Sequence, residues 1–412
     1  MKSSSLFFML LILTMSRIGL AQDTGEQESF KLYGHIMTDI GYNLGQTHPD
    51  WFDVSRPTKL PVFENQYGTD GNVYFSVRQT RFGAKAWFPT SLGDLKTTFE
   101  FELFGTGVDA GQTTFRLRHA YAELGKFGVG QTWSPFMDID VFPNTLEYWG
   151  PSGMVFFRNI QIRYMPIQGE TRLTIALERP GASADQGIYV GRPELAGVNS
   201  NFPLPDLSAE YHRAFGFGYI ELAGMLRYIS WKDQNNDPVI DLSDNVMGWG
   251  VNLSTNINFT NSLVGRFQGV YGEGIENYMN DATNDIGIEN NFTDPVQPIL
   301  GSPLPVLGIV AFLDQKWSDK WTSSIGYSSI DITNTETTDP SSFKKGQYIV
   351  GNLLFNPTPN AMMGIELQYT TRENENLKYT IDGETKDFIS MTKVQFSFKY
   401  NFAQSFYRKA SM

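Results

Sequence analysis

The chain has 412 residues, of which 41% are hydrophobic, 14% aromatic and only 18% charged, with 39 Gly and no Cys. The missing cysteine excludes a disulfide framework, a thiolate metal site and a Cys-anchored lipoprotein leader. The net charge of −12 argues against nucleic acid as a partner. Low charge with many aromatics suits strands carrying one apolar face better than a large soluble domain, where about 25% charged residues are usual.

Residues 1–21 read as a secretory signal. Lys2 opens a charged start, an apolar run spans Leu6 to Leu13, and Gly19, Leu20 and Ala21 offer small residues at a cleavage point. Removing them leaves 30 basic against 44 acidic residues, a net of −14. The apolar run is too short for a membrane helix, and no later stretch reaches the roughly 20 residues that one needs. Residues 22–30 read as a short periplasmic segment, 31–402 as one β-domain and 403–412 as a periplasmic tail.

From there the pattern is period-two alternation, repeated along the chain. It predicts 16 strands, at 31–42, 72–88, 95–104, 113–124, 126–134, 156–165, 170–179, 207–216, 217–231, 245–259, 263–272, 305–316, 320–331, 346–356, 361–373 and 386–402. The connections alternate in length. Long ones fall at 43–71, 105–112, 135–155, 180–206, 232–244, 273–304, 332–345 and 374–385; tight ones include 89–94, 124–126, 165–170, 260–262, 317–320 and 356–360. An up-and-down antiparallel barrel places all long loops at one end and all tight turns at the other, the asymmetry of outer-membrane barrels. A secreted β-sandwich has no reason to produce it.

The strand faces agree with a transmembrane barrel. Val394, Phe396, Phe398, Tyr400 and Phe402 alternate with Lys393, Gln395, Ser397 and Lys399. Charges are nearly absent from the apolar parity, as lipid requires. Trp87, Trp133, Trp231, Trp317 and Trp321 stand near strand ends, where they suit interfacial belts.

The other parity then lines a lumen. It carries Arg81, Lys85, Arg116, Arg118, Arg163, Arg172, Arg227, Arg266, Arg372, Lys393 and Lys399 against Asp39, Glu100, Glu102, Glu178, Glu221 and Glu366. The lumen is therefore net basic within an acidic chain. The parity changes between Val77 and Phe82, and a bulge near Gln79 turns both Arg78 and Arg81 inward. Glu100 and Glu102 lie beside Arg116 and Arg118 on the next strand, so partial neutralisation is expected, with Arg78, Arg81, Arg163 and Arg172 left to supply selectivity.

Two loops stand out. Loop 135–155 is apolar and aromatic, with only Asp138, Asp140 and Glu147 charged, so it is expected to pack on the inner wall and narrow the pore. Packing against other external loops or a neighbouring subunit is the alternative. Loop 273–304 holds Glu273, Glu276, Asp281, Asp285, Glu289 and Asp294 with no Lys or Arg, and reads as a solvated acidic loop. Cation bridging to lipopolysaccharide is the sharper option, although the segment lacks the spacing of a calcium loop.

In this order, VRQTRFGAKAWF, FEFELFG, FRLRHAYAELGKFGVGQTWSPFMD and FPNTLEYWGPSG resemble the DcaP-like trimeric porins of Gram-negative outer membranes, most strongly over residues 72–165. The resemblance implies a homotrimer of 16-stranded barrels passing small anionic solutes such as dicarboxylates. It also implies Arg78, Arg81, Arg116 and Arg118 as basic pore-wall residues. Family members often carry a helical extension before the first strand; here only residues 22–30 stand there, and ten residues follow Phe402 where porins commonly end on an aromatic.

Other classes fare less well. There is no zinc-protease, P-loop, nucleophile-elbow or dinucleotide signature. His119 shares the lipid-facing parity and His212 lies beside a tight turn, so neither is placed as a lumenal base. Glu100 and Glu102 opposite two arginines should stay ionised, which does not suit a general acid. The expected protein is a passive channel without cofactor, metal or catalysis, its loop 135–155 setting the constriction. An adhesin or receptor barrel is the alternative, and a barrel hydrolase a weaker one. For the channel, anion preference weakened by Arg78→Ala with Arg81→Ala is the expectation.

Overall fold

The computed structural model describes residues 26–235, 237–381 and 383–409; the expected signal at 1–21 lies outside them. Alternating side chains give an antiparallel meander of 16 long strands. These are β1 (Glu26–Asn43), β2 (Asn72–Ser76 and Arg81–Thr90), β3 (Gly93–Phe104), β4 (Thr113–Leu124), β5 (Phe127–Trp133), β6 (Arg158–Ile167), β7 (Thr171–Glu178) and β8 (Asp206–Phe215). They continue as β9 (Gly218–Asp233), β10 (Asp244–Asn258), β11 (Leu263–Glu273), β12 (Pro305–Lys316), β13 (Trp321–Ile332), β14 (Phe343–Thr358), β15 (Ala361–Asn374) and β16 (Phe388–Lys409). Each pairs with its neighbours in the chain. β1 and β16 close the barrel, paired from Glu26 opposite Lys409 to Asn43 opposite Lys393 with a register shift between Glu28 and Phe30. Closure leaves no unpaired edge, as a structure crossing lipid requires.

The outward parity forms a continuous exposed apolar band that includes Ile36, Phe75, Phe99, Ile162, Leu222, Ile325, Ile365 and Phe398. On a soluble protein such a band would be a large exposed patch; on a barrel it is the lipid contact. The long connections and the tight turns lie at opposite ends. In the turn after β4, Gly125 has φ near 60°, a left-handed conformation that glycine adopts without strain.

Several expectations change. The first and last strands are longer than predicted: β1 begins at Glu26 within the segment taken as periplasmic, and β16 runs to Lys409 through the segment taken as a tail. Trp317 and Trp321 are exposed at a tight turn, as expected for an interfacial belt. Trp133 instead points inward, where its ring meets His119 and Phe156, and Trp231 donates from Nε1 to the Leu242 carbonyl. The inner wall is also less polar than its neighbours suggest. Val306, Val310 and Phe312 of β12, Ile330 and Ile332 of β13, and Tyr348 and Val350 of β14 are buried inside the barrel. Their cover is loop 134–157, through Phe136, Met137, Val141, Met154 and Val155. The apolar core of this protein therefore lies between a loop and its own barrel wall.

Candidate functional site: a charged lumen beneath an inward loop

Loop 134–157 runs along the inside of the barrel, held at successive strands. Asp138 accepts hydrogen bonds from Tyr219 Oη of β9 and Ser254 Oγ of β10, each at 2.6 Å. Asn352 Nδ2 of β14 donates to the Asn144 carbonyl at 2.8 Å. The Leu146 and Glu147 amides donate to the two carboxylate oxygens of Glu366 on β15, at 2.7 and 2.9 Å. Gln79, in the break of β2, donates to the Leu146 carbonyl. The aromatic composition that set this segment apart is thus spent on the inner wall.

Two other loops lock against it. Arg56 of loop 44–71 stacks between the rings of Trp51 and Trp149, at 4.2 and 4.1 Å, and its Nε donates to Asp281 at 2.8 Å. Trp149 Nε1 donates to the Asn280 carbonyl. Loop 273–304 is therefore solvated only in part, with Glu289 exposed. Asp281 and Asp285 are buried and neutralise Arg56 and Arg227, whose positions in the chain are far away.

Glu276 in the same loop is different: it is 1% exposed, and among the described residues neither carboxylate oxygen has a hydrogen-bond partner. Burial, reinforced by the nearby Asp285, pushes its carboxyl well above the usual range. A raised carboxyl pKa means that the unfolded chain binds fewer protons than the fold above the ordinary glutamate pKa of about 4.3. Stability from this group is then lost as pH rises. Glu276→Gln should raise the denaturant midpoint of the barrel at pH 8, and the gain should vanish near pH 4. An equal gain at both values would refute the assignment.

The charged cluster forms where β2, β3 and β4 meet the loop. Arg81, Glu100, Glu102, Arg116 and Arg118 come together there. Arg118 donates to Glu100 from Nε and to Glu102 from Nη1, each at 2.6 Å. Arg81 lies 3.7 and 3.4 Å from the same two carboxylates, and Arg116 3.8 Å from Glu102. Tyr148 of the loop donates to Glu102. Tyr33 of β1 donates to Glu100 at 2.8 Å, its ring lying over Gly83, where a Cβ would come within 2.5 Å of the phenol carbon. Alanine at 83 would therefore displace the phenol from Glu100.

One member was not foreseen. Arg158 opens β6 and lies 3.6 Å from Glu102, its guanidinium over Trp133. Four arginines thus surround two glutamates, an excess of two positive charges.

A β-bulge explains another difference. Glu100 pairs with His119 but Phe101 pairs with Leu117, so Arg118 is an extra residue in β4. Arg118 and His119 then both face inward, and His119 Nδ1 meets Thr132 Oγ1 at 3.0 Å rather than facing lipid. His212 also faces the interior, with Nδ1 3.0 Å from Glu221 and its ring stacked on Tyr219, instead of sitting at the interface.

The remaining candidates divide. Arg78 is 1% exposed, bonded to Asp53 at 2.6 Å and to the Gly105 carbonyl at 2.9 Å. It braces loop 44–71 and is not an uncompensated cation. Arg172 is compensated too, 2.9 Å from Glu221, 3.4 Å from Asp140 and 3.7 Å from Glu210. Arg163 donates to Gln161 and to the Trp133 carbonyl and has no carboxylate within 4 Å among the described residues. It lines a cavity of about 480 Å³ with Lys96, Glu123, Asp138, Asp140 and Arg172. Lys85 is exposed on the inward parity, near the ring of Tyr33. Of the loop carboxylates only Asp140 is open to water; Glu147 is buried and accepts from the Ser55 and Gly150 amides.

This architecture has relatives. Residues 21–386 match the family described as DcaP outer membrane protein. The chain belongs to the DcaP family. The outer membrane channel DcaP of Acinetobacter baumannii superposes with a TM-score of 0.74 at 18% identity, over 93% of this chain and 99% of that one. In-vitro folded OmpT, an outer membrane protein of Vibrio cholerae in its trimer form, gives 0.53 at 13% identity over 91% and 99%. Salmonella typhi OmpF, in complex with daunomycin, gives 0.51 at 13% identity over 92% and 100%. No curated protein matches the sequence. Family and fold together make this DcaP-family chain an outer-membrane channel protein.

Proposed function

We propose that the chain is a passive diffusion channel for small anionic solutes such as dicarboxylates, with loop 134–157 setting its narrowest section. The observation that carries this reading is the charge excess where β2, β3 and β4 meet that loop: Arg81, Arg116, Arg118 and Arg158 against Glu100 and Glu102. Clustered arginines in a confined lumen favour anions. The side chains of Arg81 and Arg116 keep 27% exposure, so they can meet a solute, while Arg118 and the glutamates are held inside the cluster.

Export by a cleaved signal at 1–21, contact with lipopolysaccharide and assembly as a homotrimer belong to the same proposal. The trimer form of the Vibrio cholerae relative supports the last. No cofactor, metal or catalytic step is part of it. In a planar bilayer under a salt gradient, the reversal potential should report anion preference and dicarboxylates should interrupt the current. Cation preference would sink the anion assignment, and the absence of conductance steps would favour an adhesin or receptor.

A further inference from the structure

The cation excess does not stop at the arginine cluster. Lys31 of β1 and Lys85 of β2 are direct partners in the antiparallel register, four residues from the pair of His35 and Arg81. Four residues of strand span about 13 Å, toward the tight-turn end. Both lysines belong to the inward parity, with Tyr33 and Gly83 between them and the cluster. Like charges directly opposite one another across a strand pair are destabilising.

A carboxylate on the next strand would relieve such a pair. Here the strand beyond Lys85 presents Thr98, and the strand beyond Lys31 presents Ser405. Neither lysine has a carboxylate within 4 Å among the described residues. Glu28, close in the chain, accepts from Ser405 Oγ at 2.5 Å. The pair therefore stands in the lumen with no carboxylate in contact, beside the Thr98 hydroxyl, while the Ser405 hydroxyl is already given to Glu28. Two opposed ammonium groups beside a hydroxyl donor have the chemistry to hold a carboxylate.

We infer that Lys31 and Lys85, with Thr98, form a second anion station on the tight-turn side of the arginine cluster, taking one carboxylate of a small dicarboxylate as it enters or leaves. This rests on the anion-channel reading. Two stations about 13 Å apart along the wall would pass a solute from one set of cations to the next. Because opposite charge raises the local concentration and capture rate of a solute, the effect should be kinetic and directional.

The test uses the full-length protein in a planar bilayer of known orientation, with succinate added to one side at a time. In the wild type, succinate from the tight-turn side should interrupt the current. In Lys31→Ala with Lys85→Ala, its association rate from that side should fall roughly tenfold, the scale of a lost charge-assisted hydrogen bond. From the long-loop side the fall should be less than about twofold, and added salt should shrink the difference, with a screening length of about 10 Å at 0.1 M. Lys31→Arg with Lys85→Arg should restore the wild-type rate. Equal effects from both sides, no effect, or no interruption in the wild type from the tight-turn side would each overturn the station. Cation preference of the wild-type reversal potential would instead overturn the channel reading. Heat-resistant migration of each variant checks that the barrel is folded.

Discussion

Arg81→Ala with Arg116→Ala is expected to move the reversal potential of the channel markedly toward zero while leaving the barrel folded. The cluster holds four arginines against two glutamates, and removing two leaves it neutral. These two are the right pair because their contacts with the carboxylates are long, 3.4 to 3.8 Å, and their side chains are partly exposed. Arg118 keeps both of its 2.6 Å bonds to the glutamates in the variant. At an effective dielectric near 20, a unit charge 4 Å away is worth about 4 kcal/mol, so losing two alters the lumen field substantially. Arg78→Ala is the contrast. It should leave selectivity nearly unchanged, because Arg78 is sealed against Asp53 and Gly105. It should cost stability, on the order of 3–5 kcal/mol when a buried pair loses one partner. If Arg78→Ala shifted selectivity as much as the double variant, the division between bracing and pore-wall arginines would be wrong.

That contrast shows where sequence reading succeeds and where it stops. Period-two alternation carries the barrel, because lipid punishes any charge on the outer parity at every strand. The aromatic run from Phe136 to Trp149 belongs to a segment whose Phe136, Val141 and Met154 pack on buried wall residues such as Val270, Phe312 and Tyr348, and a hydrophobic wall repays such a composition. The partners of individual charges were not legible in the same way. Asp53 and Arg78 meet because loop 44–71 folds back over the break in β2, and Asp281 and Arg56 meet through two loops whose paths the alternation does not describe. Loop 273–304 looked solvated because its counter-charges lie elsewhere in the chain. His119 was misplaced by one extra residue, since a bulge at Arg118 reverses the parity of everything beyond it. Arg158 was missed because it has the outward parity of its strand but stands at the first position, where the chain still turns out of the loop. The direct opposition of Lys31 and Lys85 needed the register of β1 against β2, which alternation alone leaves open.

Glu366→Ala should release the inner end of loop 134–157 and so raise both the single-channel conductance and its flicker. Glu366 is fully inside the barrel and accepts four hydrogen bonds. Two come from the loop amides of Leu146 and Glu147, and two from Asn352 and Gln368, at 2.9 and 2.8 Å. Hydrogen bonds to a charged acceptor contribute about 1.5–3 kcal/mol each, so losing the two loop contacts far exceeds thermal energy. Other anchors remain: Asp138 on Tyr219 and Ser254, Gln79 on the Leu146 carbonyl, Tyr148 on Glu102 and Trp149 on the Asn280 carbonyl. The loop should therefore swing rather than unfold, and the current should fluctuate between the parent level and a larger one. Glu366→Gln retains one acceptor oxygen and should fall between the two. Leu146 also packs with Met37, Leu354 and Met362, and this apolar contact opposes release. Leu146→Ala with Glu366→Ala should accordingly hold the larger level for longer than Glu366→Ala alone. Unchanged conductance in both variants would mean that the loop does not set the narrowest section, and that the width of the channel is fixed by the barrel wall and the other loops.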